Sequence, residues 1–198
     1  MPLALIHQAL IALFFIAIGA SGAHAQGVLP VPELTARVID QTGTLSAADT
    51  QALEQRLAGF EQARGTQIVV LMVPTTAPED IAAYANRVGN AWKIGRRAVG
   101  DGVLVIVAKN DRRMRIEVAK ALEGALPDIA AARIIEGAMK PRFAQGDFAG
   151  GLEAAVQHIT ARIAGDDSLP LPGSERNAHA GGAEDTNDLA ILLFAAVL

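Results

Sequence analysis

Two short segments, residues 67–73 and 103–108, constrain the fold of this chain more than any other feature. Their sequences, QIVVLMV and VLVIVA, are almost wholly apolar and rich in β-branched residues. Such segments are typical of strands buried on both faces, as in parallel sheets covered by helices. The residues between them repeat apolar side chains at helical spacing over 81–92. The pattern therefore predicts a strand–helix–strand unit at the centre of an α/β domain.

The flanking segments extend this unit in both directions. Before it, Ser46 is a good helix N-cap and Gly65 a good helix end, which predicts a helix between them. After it, residues 113–118 (RMRIEV) alternate polar and apolar, which predicts a half-exposed strand in a hairpin with 103–108. Two further helices are expected, one from Pro127 and one after Asp147. The expected fold class is α/β, a three-layer α/β/α sandwich with a mixed central sheet and helices on both faces.

The N-terminal segment predicts export. Residues 3–18 form an apolar run without Asp, Glu, Lys or Arg, followed by Ala23-His24-Ala25, a small-x-small cleavage site. We interpret residues 1–25 as a signal peptide and residues 27–165 as the folded domain. An uncleaved membrane anchor is the alternative. Export places the domain on the periplasmic face of the membrane.

The C-terminal segment predicts a tether. Residues 166–188 are rich in Gly, Pro and acidic residues, which is typical of a flexible linker. Residues 189–198 (LAILLFAAVL) are apolar and too short to cross a bilayer. We interpret them as the start of a truncated transmembrane helix that anchors the protein, and a short amphipathic end is the alternative.

Composition excludes several classes of function. The chain has no cysteine, so disulfides, zinc–thiolate sites and thiol nucleophiles are absent. Residues 27–165 are nearly neutral, which gives no electrostatic reason to expect a nucleic-acid partner. Nucleotide-binding and hydrolase motifs are missing, and His158 is the one histidine of the domain, which argues against a histidine-based triad.

Acidic residues in the expected loops are the main candidates for chemistry. These are Asp40, Asp101, Asp111, Glu123 and Asp128. Carboxylates gathered at one end of a sheet provide the oxygen ligands that Ca2+ or Mg2+ prefers. Each also has a structural interpretation, as a turn residue or a helix cap.

A second candidate set is basic. Arg112, Arg113 and Arg115 lie in and after the expected hairpin turn, where guanidinium groups bind anions such as phosphate. The alternative is a solvated face of the strand.

Six segments together resemble the TPM domain family, which includes thylakoid-lumen photosystem II repair proteins and exported, membrane-tethered bacterial proteins. They are VIDQTGTLS (38–46), WKIG (92–95), GDGVLVIVA (100–108), DRRMRIEV (111–118), LEGALPD (122–128) and FAQGDFAGGL (143–152). The resemblance covers about residues 28–165. It implies an α/β/α sandwich with a divalent-metal site, and the five carboxylates named above fall on the family's acidic motif positions. Where relatives carry glycines before the LEG motif, this chain has Ala119, Lys120 and Ala121, and Lys120 adds a positive charge.

The resemblance implies three candidate functions. The first is an exported, membrane-anchored domain that binds a divalent cation, with Ca2+ expected and Mg2+ possible. It would act as an accessory module in envelope or membrane-protein maintenance, with a membrane protein as possible partner. The second is a metal-dependent acid phosphatase, as reported for some relatives. The third is a structural interaction domain without a ligand.

Overall fold

The computed structural model describes residues 27–96 and 98–173. The expected signal peptide, the expected linker beyond residue 173 and the expected start of a transmembrane helix lie outside this range. No helix within the described ranges is long and apolar enough to cross a membrane.

Four strands form one open sheet in the order β1-β2-β3-β4. The strands are β1 (Val38–Asp40), β2 (Gln67–Val73), β3 (Gly102–Ala108) and β4 (Arg113–Val118). The pairs β1–β2 and β2–β3 are parallel, whereas β4 is antiparallel to β3. The predicted strands and the hairpin are confirmed. The carboxyl ends of β1, β2 and β3 meet at one edge of the sheet, which we call the carboxyl edge, and β4 starts there.

The helices begin and end where local chemistry dictates. They are α1 (Ala47–Arg64), α2 (Ile81–Trp92), α3 (Asp128–Ile134), α4 (Lys140–Ala144) and α5 (Phe148–Ala164). Ser46 caps α1 by accepting a hydrogen bond from Asp49 N, and Gly65 ends it in the left-handed conformation, as predicted. Asp80 and Asp147 cap α2 and α5 in the same way. The helix expected to run from Pro127 to about Met139 is interrupted: residues Ile135–Met139 form a π-helical turn between α3 and α4.

Two apolar cores lie on opposite faces of the sheet. Helices α1, α3 and α5 cover one face, where Leu57, Ile134 and Val156 are fully buried against β2 and β3. Helix α2 covers the other face. This arrangement is the expected three-layer sandwich with helices on both faces.

Two extended segments complete the layers. Leu29, Val31 and Leu34 pack beside α2, and the indole Nε1 of Trp92 donates to Pro32 O at 2.7 Å. After α5 the chain turns back, and Leu171 packs against the core on the α5 side. Leu171, within the expected linker, therefore contacts the domain.

Candidate functional site

The turn between β3 and β4 is fixed to the carboxyl edge. Lys109 N donates to Val73 O at 3.0 Å, and Asn110 N donates to Pro74 O at 2.8 Å. These bonds extend the pairing of β3 with β2 beyond the strand ends. The turn therefore has a defined position beside the end of β2.

Asp111 strengthens this attachment. Its carboxylate accepts from Thr75 Oγ1 at 2.7 Å and from Thr76 N at 2.8 Å. These hydrogen bonds, with the Thr76 backbone N–H contributing most, lower the pKa of Asp111 below its ordinary value. The carboxylate is therefore ionised at neutral pH and ties the turn to the segment after β2.

Arg112 ends the turn in a conformation that favours glycine. Its φ angle is 53°, in the left-handed region, where a side chain costs roughly 1–2 kcal/mol. Strained residues of this kind are concentrated at functional sites. The strained backbone of Arg112 and its exposed charge make this residue a candidate for a functional role.

A cavity of about 810 Å³ lies next to this turn, between the β3–β4 hairpin and α4 with the first residue of α5. Its basic lining residues come from the turn, from β4 and from α4, and they are Lys109, Arg112, Arg113 and Lys140. The side chain of Arg113 lies on the other face of the sheet, because its sheet partner Ala108 packs in the α2-face core and its guanidinium binds Asp80, the N-cap of α2. The apolar side chains of the cavity are Val107, Met114, Phe143, Ala144 and Phe148. Asn110 completes the lining. Three cationic side chains face the cavity, and its described lining residues include no carboxylate.

The three cations whose side chains face the cavity differ in how far they are neutralised. Lys140 pairs with Glu136 at 2.5 Å. Lys109 and Arg112 have no ion pair with any residue that the structure describes. The Lys109 Nζ lies 5.4 Å from the centre of the Phe148 ring, a cation–π contact that holds it beside the cavity. The cavity therefore carries positive charge that an anion would neutralise.

The aromatic wall follows from the Gly146-Asp147 turn. Gly146 has a φ of 79°, and Asp147 caps α5. The turn reverses the chain, so that the rings of Phe143 and Phe148 lie 4.8 Å apart.

The structure separates the five predicted carboxylates. Asp40 lies at the carboxyl edge at the end of β1, as does Asp111 in the hairpin turn. Asp101 precedes β3 at the opposite edge. Glu123 is exposed and follows the 3-10 turn after β4, and Asp128 is exposed at the start of α3. Within the described ranges, no three His, Cys, Asp or Glu side chains come close enough to hold a metal ion.

Two of these carboxylates already have their acceptor sites largely occupied. Asp40 accepts four hydrogen bonds, two of them from Thr42 and the others from Thr44 N and Leu45 N. Burial alone raises the pKa of Asp40, but these hydrogen bonds outweigh it and lower the pKa. A carboxylate has about four lone-pair sites, so Asp40 has none left for a ligand in this arrangement.

Asp101 is buried and bound to Arg96. It accepts from Arg96 N and Nε, both at 2.8 Å, and pairs with the guanidinium at 2.6 Å. Burial raises the pKa of Asp101, and the bonds from Arg96 outweigh burial and lower it. This carboxylate organises the loop before β3. The prediction that it binds a metal stays a prediction.

Of the three predicted anion-binding arginines, Arg112 presents its charge to the cavity. Arg113 lines the cavity, but its guanidinium pairs with Asp80 on the α2 face. Arg115 donates to Glu117 at 3.0 Å and lies 4.0 Å from Asp128. Sequence reasoning missed Lys109, Lys140, Phe143 and Phe148. Of these four residues, Lys109 could have been predicted from the sequence, because it directly follows a parallel strand at the edge where ligands of open α/β sheets bind.

Comparisons with known proteins agree with this fold. The family model of the TPM domain matches residues 38–162. A comparison with curated proteins finds no match.

Solved structures of bacterial domains are similar. The N-terminal domain of a protein from Porphyromonas gingivalis is 28% identical with a TM-score of 0.62, covering 66% of this chain and 83% of that one. The BA42 protein of Bizionia argentinensis is 22% identical with a TM-score of 0.54, and the match covers 65% of this chain and 86% of that one. The N-terminal domain of the cg2496 protein of Corynebacterium glutamicum is 17% identical with a TM-score of 0.52, and the match covers 68% of this chain and 86% of that one. These last two similarities show the fold alone. The family match spans more than half of this chain, which therefore belongs to the TPM domain family.

Proposed function

We propose that this TPM domain is a binding module for phosphate-type anions and that the basic cavity at the carboxyl edge is its binding site. The observation that carries the proposal is the convergence of Lys109, Arg112 and Lys140 on one cavity whose described lining holds no carboxylate. Guanidinium and ammonium groups are the usual protein partners of phosphate. The strained backbone of Arg112 adds support, because a glycine would fit that turn better.

Binding is favoured over hydrolysis. The described lining residues include no carboxylate, imidazole, hydroxyl or thiol that would attack a phosphate ester or take up a proton. The matching family model is labelled a phosphatase, so hydrolysis is the alternative to be measured on the same site. Turnover of a generic phosphate ester that stops on Arg112→Gly would support it.

A divalent cation, with Ca2+ expected, is the second candidate ligand, and Asp111 is the residue that favours it. Each oxygen of this ionised carboxylate accepts one hydrogen bond, which leaves lone pairs for a cation. Asp111 stands between Asn110 and Arg112, which both line the cavity. Asp111 would supply one carboxylate ligand of a Ca2+ ion, and backbone carbonyls, water or the bound anion would supply the other oxygen ligands.

The setting of this function rests on the sequence. The apolar N-terminal segment and its cleavage site support export, and the apolar C-terminal run supports a membrane tether. The proposed role is an accessory module at the periplasmic face of the membrane that acts on envelope components.

The experiment is a calorimetric titration of inorganic phosphate into the chain, with and without Ca2+. Lys109→Gln should weaken binding, because it removes a cation that has no ion pair within the described ranges. Lys120→Gln is the matched control, since Lys120 is exposed at the opposite edge of the sheet. Equal affinity in all three proteins would refute the assignment of the cavity.

A further inference from the structure

The cavity has a second half that phosphate alone does not use. Beside the cations runs an apolar wall formed by Val107, Met114, Phe143, Ala144 and Phe148. An inorganic phosphate would contact only the cationic side. A cavity of about 810 Å³ falls in the range of roughly 300–1,000 Å³ that small organic ligands occupy. The size and the wall both indicate a ligand with an apolar part.

The aromatic rings of the wall already have partners. Phe148 contacts the ring of Phe143 at 4.8 Å between centres and the Lys109 ammonium at 5.4 Å. A planar base would have to displace one of these partners to stack on Phe148. The remaining wall is aliphatic, with the flexible thioether side chain of Met114 facing Val107 across the β3–β4 pair. This surface fits an alkyl chain better than an aromatic ring.

Charge fixes the orientation of such a ligand. The two cations without an ion pair in the described ranges, Lys109 and Arg112, both belong to the hairpin turn. The anionic group would therefore lie against the turn, and the alkyl chain would extend along Met114 and the α4 side of the cavity.

We propose that the cavity binds a phosphate monoester of an aliphatic alcohol, with the phosphate at Lys109 and Arg112 and the alkyl chain along the Met114 wall. This inference rests on the proposed anion-binding function and names its ligand class. The same chemistry occurs in free alkyl phosphates and in phospholipids with a monoester headgroup.

The test is a calorimetric series of inorganic phosphate and ethyl, butyl and hexyl phosphate with the full chain. Each methylene buried against the wall should increase the affinity up to about fourfold, the equivalent of roughly 0.8 kcal/mol. Hexyl phosphate should therefore bind at least tenfold more tightly than ethyl phosphate. Equal affinities across the series would overturn the inference and leave anion binding intact. No binding of any member, inorganic phosphate included, would overturn the proposed function as well.

Variants distinguish the contribution of the apolar wall to the binding affinity from the contribution of the cations. Met114→Gln should reduce the ratio of hexyl phosphate affinity to inorganic phosphate affinity by about tenfold, because it places an amide where the chain would lie. Met114→Leu restores an apolar surface and should keep the ratio, which controls for a folding defect. Lys120→Gln should change neither affinity. A ratio that is the same in the Gln and Leu variants would overturn the inference.

Vesicles identify the source of the ligand. Co-sedimentation with vesicles of phosphatidic acid in phosphatidylcholine, lost in Met114→Gln, would assign the site to a membrane lipid. Binding of hexyl phosphate without co-sedimentation would assign it to a free ester.

Discussion

Arg112→Gly is expected to make the domain more stable and its anion binding weaker. The arginine has a φ of 53° and has no ion pair within the described ranges, so its removal sacrifices little native contact energy. Relief of the left-handed strain is worth roughly 1–2 kcal/mol. The extra freedom of glycine in the unfolded chain costs about 0.5–1 kcal/mol. The net gain is about 0–1.5 kcal/mol, or a rise in Tm of up to roughly 6 °C.

The same substitution removes one cation from the cavity. Hydrogen bonds to charged groups contribute about 1.5–3 kcal/mol when well formed. Because Arg112 is exposed, we expect the loss to be near the lower end, about tenfold in phosphate affinity. Urea unfolding and calorimetric titration of the same protein measure the two effects.

Lys93→Gly is the matched control. Lys93 has a φ of 49° and ends α2 in the left-handed conformation, away from the cavity lining. It should show the same gain in stability with unchanged phosphate affinity. A loss of stability in Arg112→Gly, or an equal change of affinity in both variants, would refute the reasoning.

Three further predictions concern the framework around the site. Asp101→Ala should lower the free energy of unfolding by about 2 kcal/mol in urea titrations, because Arg96 N loses its buried acceptor; a change under about 0.5 kcal/mol would contradict this. Asp40, Asp101 and Asp111 have pKa values in the folded state below the ordinary 3.8. They therefore stabilise the fold above pH 3.8, and this stabilisation should be lost as the pH falls through their folded-state pKa values. Asp111→Asn should flatten this loss below about pH 4, and an unchanged slope would count against the hydrogen bonds from the segment after β2. Trp92→Phe removes the bond to Pro32 O and should cost about 1 kcal/mol and speed amide exchange in residues 28–34; unchanged exchange would argue against that contact.

The central architecture was predictable from local patterns. Uniformly apolar, β-branched segments predict buried strands, and the alternation in RMRIEV predicts a half-exposed strand in a hairpin; both are confirmed. Ser46 and Asp147 are caps because their side chains accept backbone N–H groups nearby in sequence. The family resemblance drawn from the motifs is confirmed by the family match. These features depend on contacts within a few residues or on burial alone.

The site was only partly predictable, because its parts come from distant segments. Arg112 and Lys140 meet at one cavity through the packing of the α4–α5 segment against the hairpin, and no local pattern indicates that packing. The π-helical turn before α4 shifts the register of that helix. An uninterrupted helix from Pro127, as the sequence predicts, would not have this shift. Three of the predicted carboxylates, Asp40, Asp101 and Asp111, accept hydrogen bonds from nearby protein groups, such as Arg96 for Asp101, five residues earlier. Cation binding stays a prediction.

The titration of inorganic phosphate into the chain, side by side with Arg112→Gly and Lys93→Gly, tests the central claim most directly. The claim predicts saturable binding that weakens with added salt, about tenfold weaker binding in Arg112→Gly and unchanged binding in Lys93→Gly. Absence of saturable binding, or binding that none of the cavity cations affects, would contradict it.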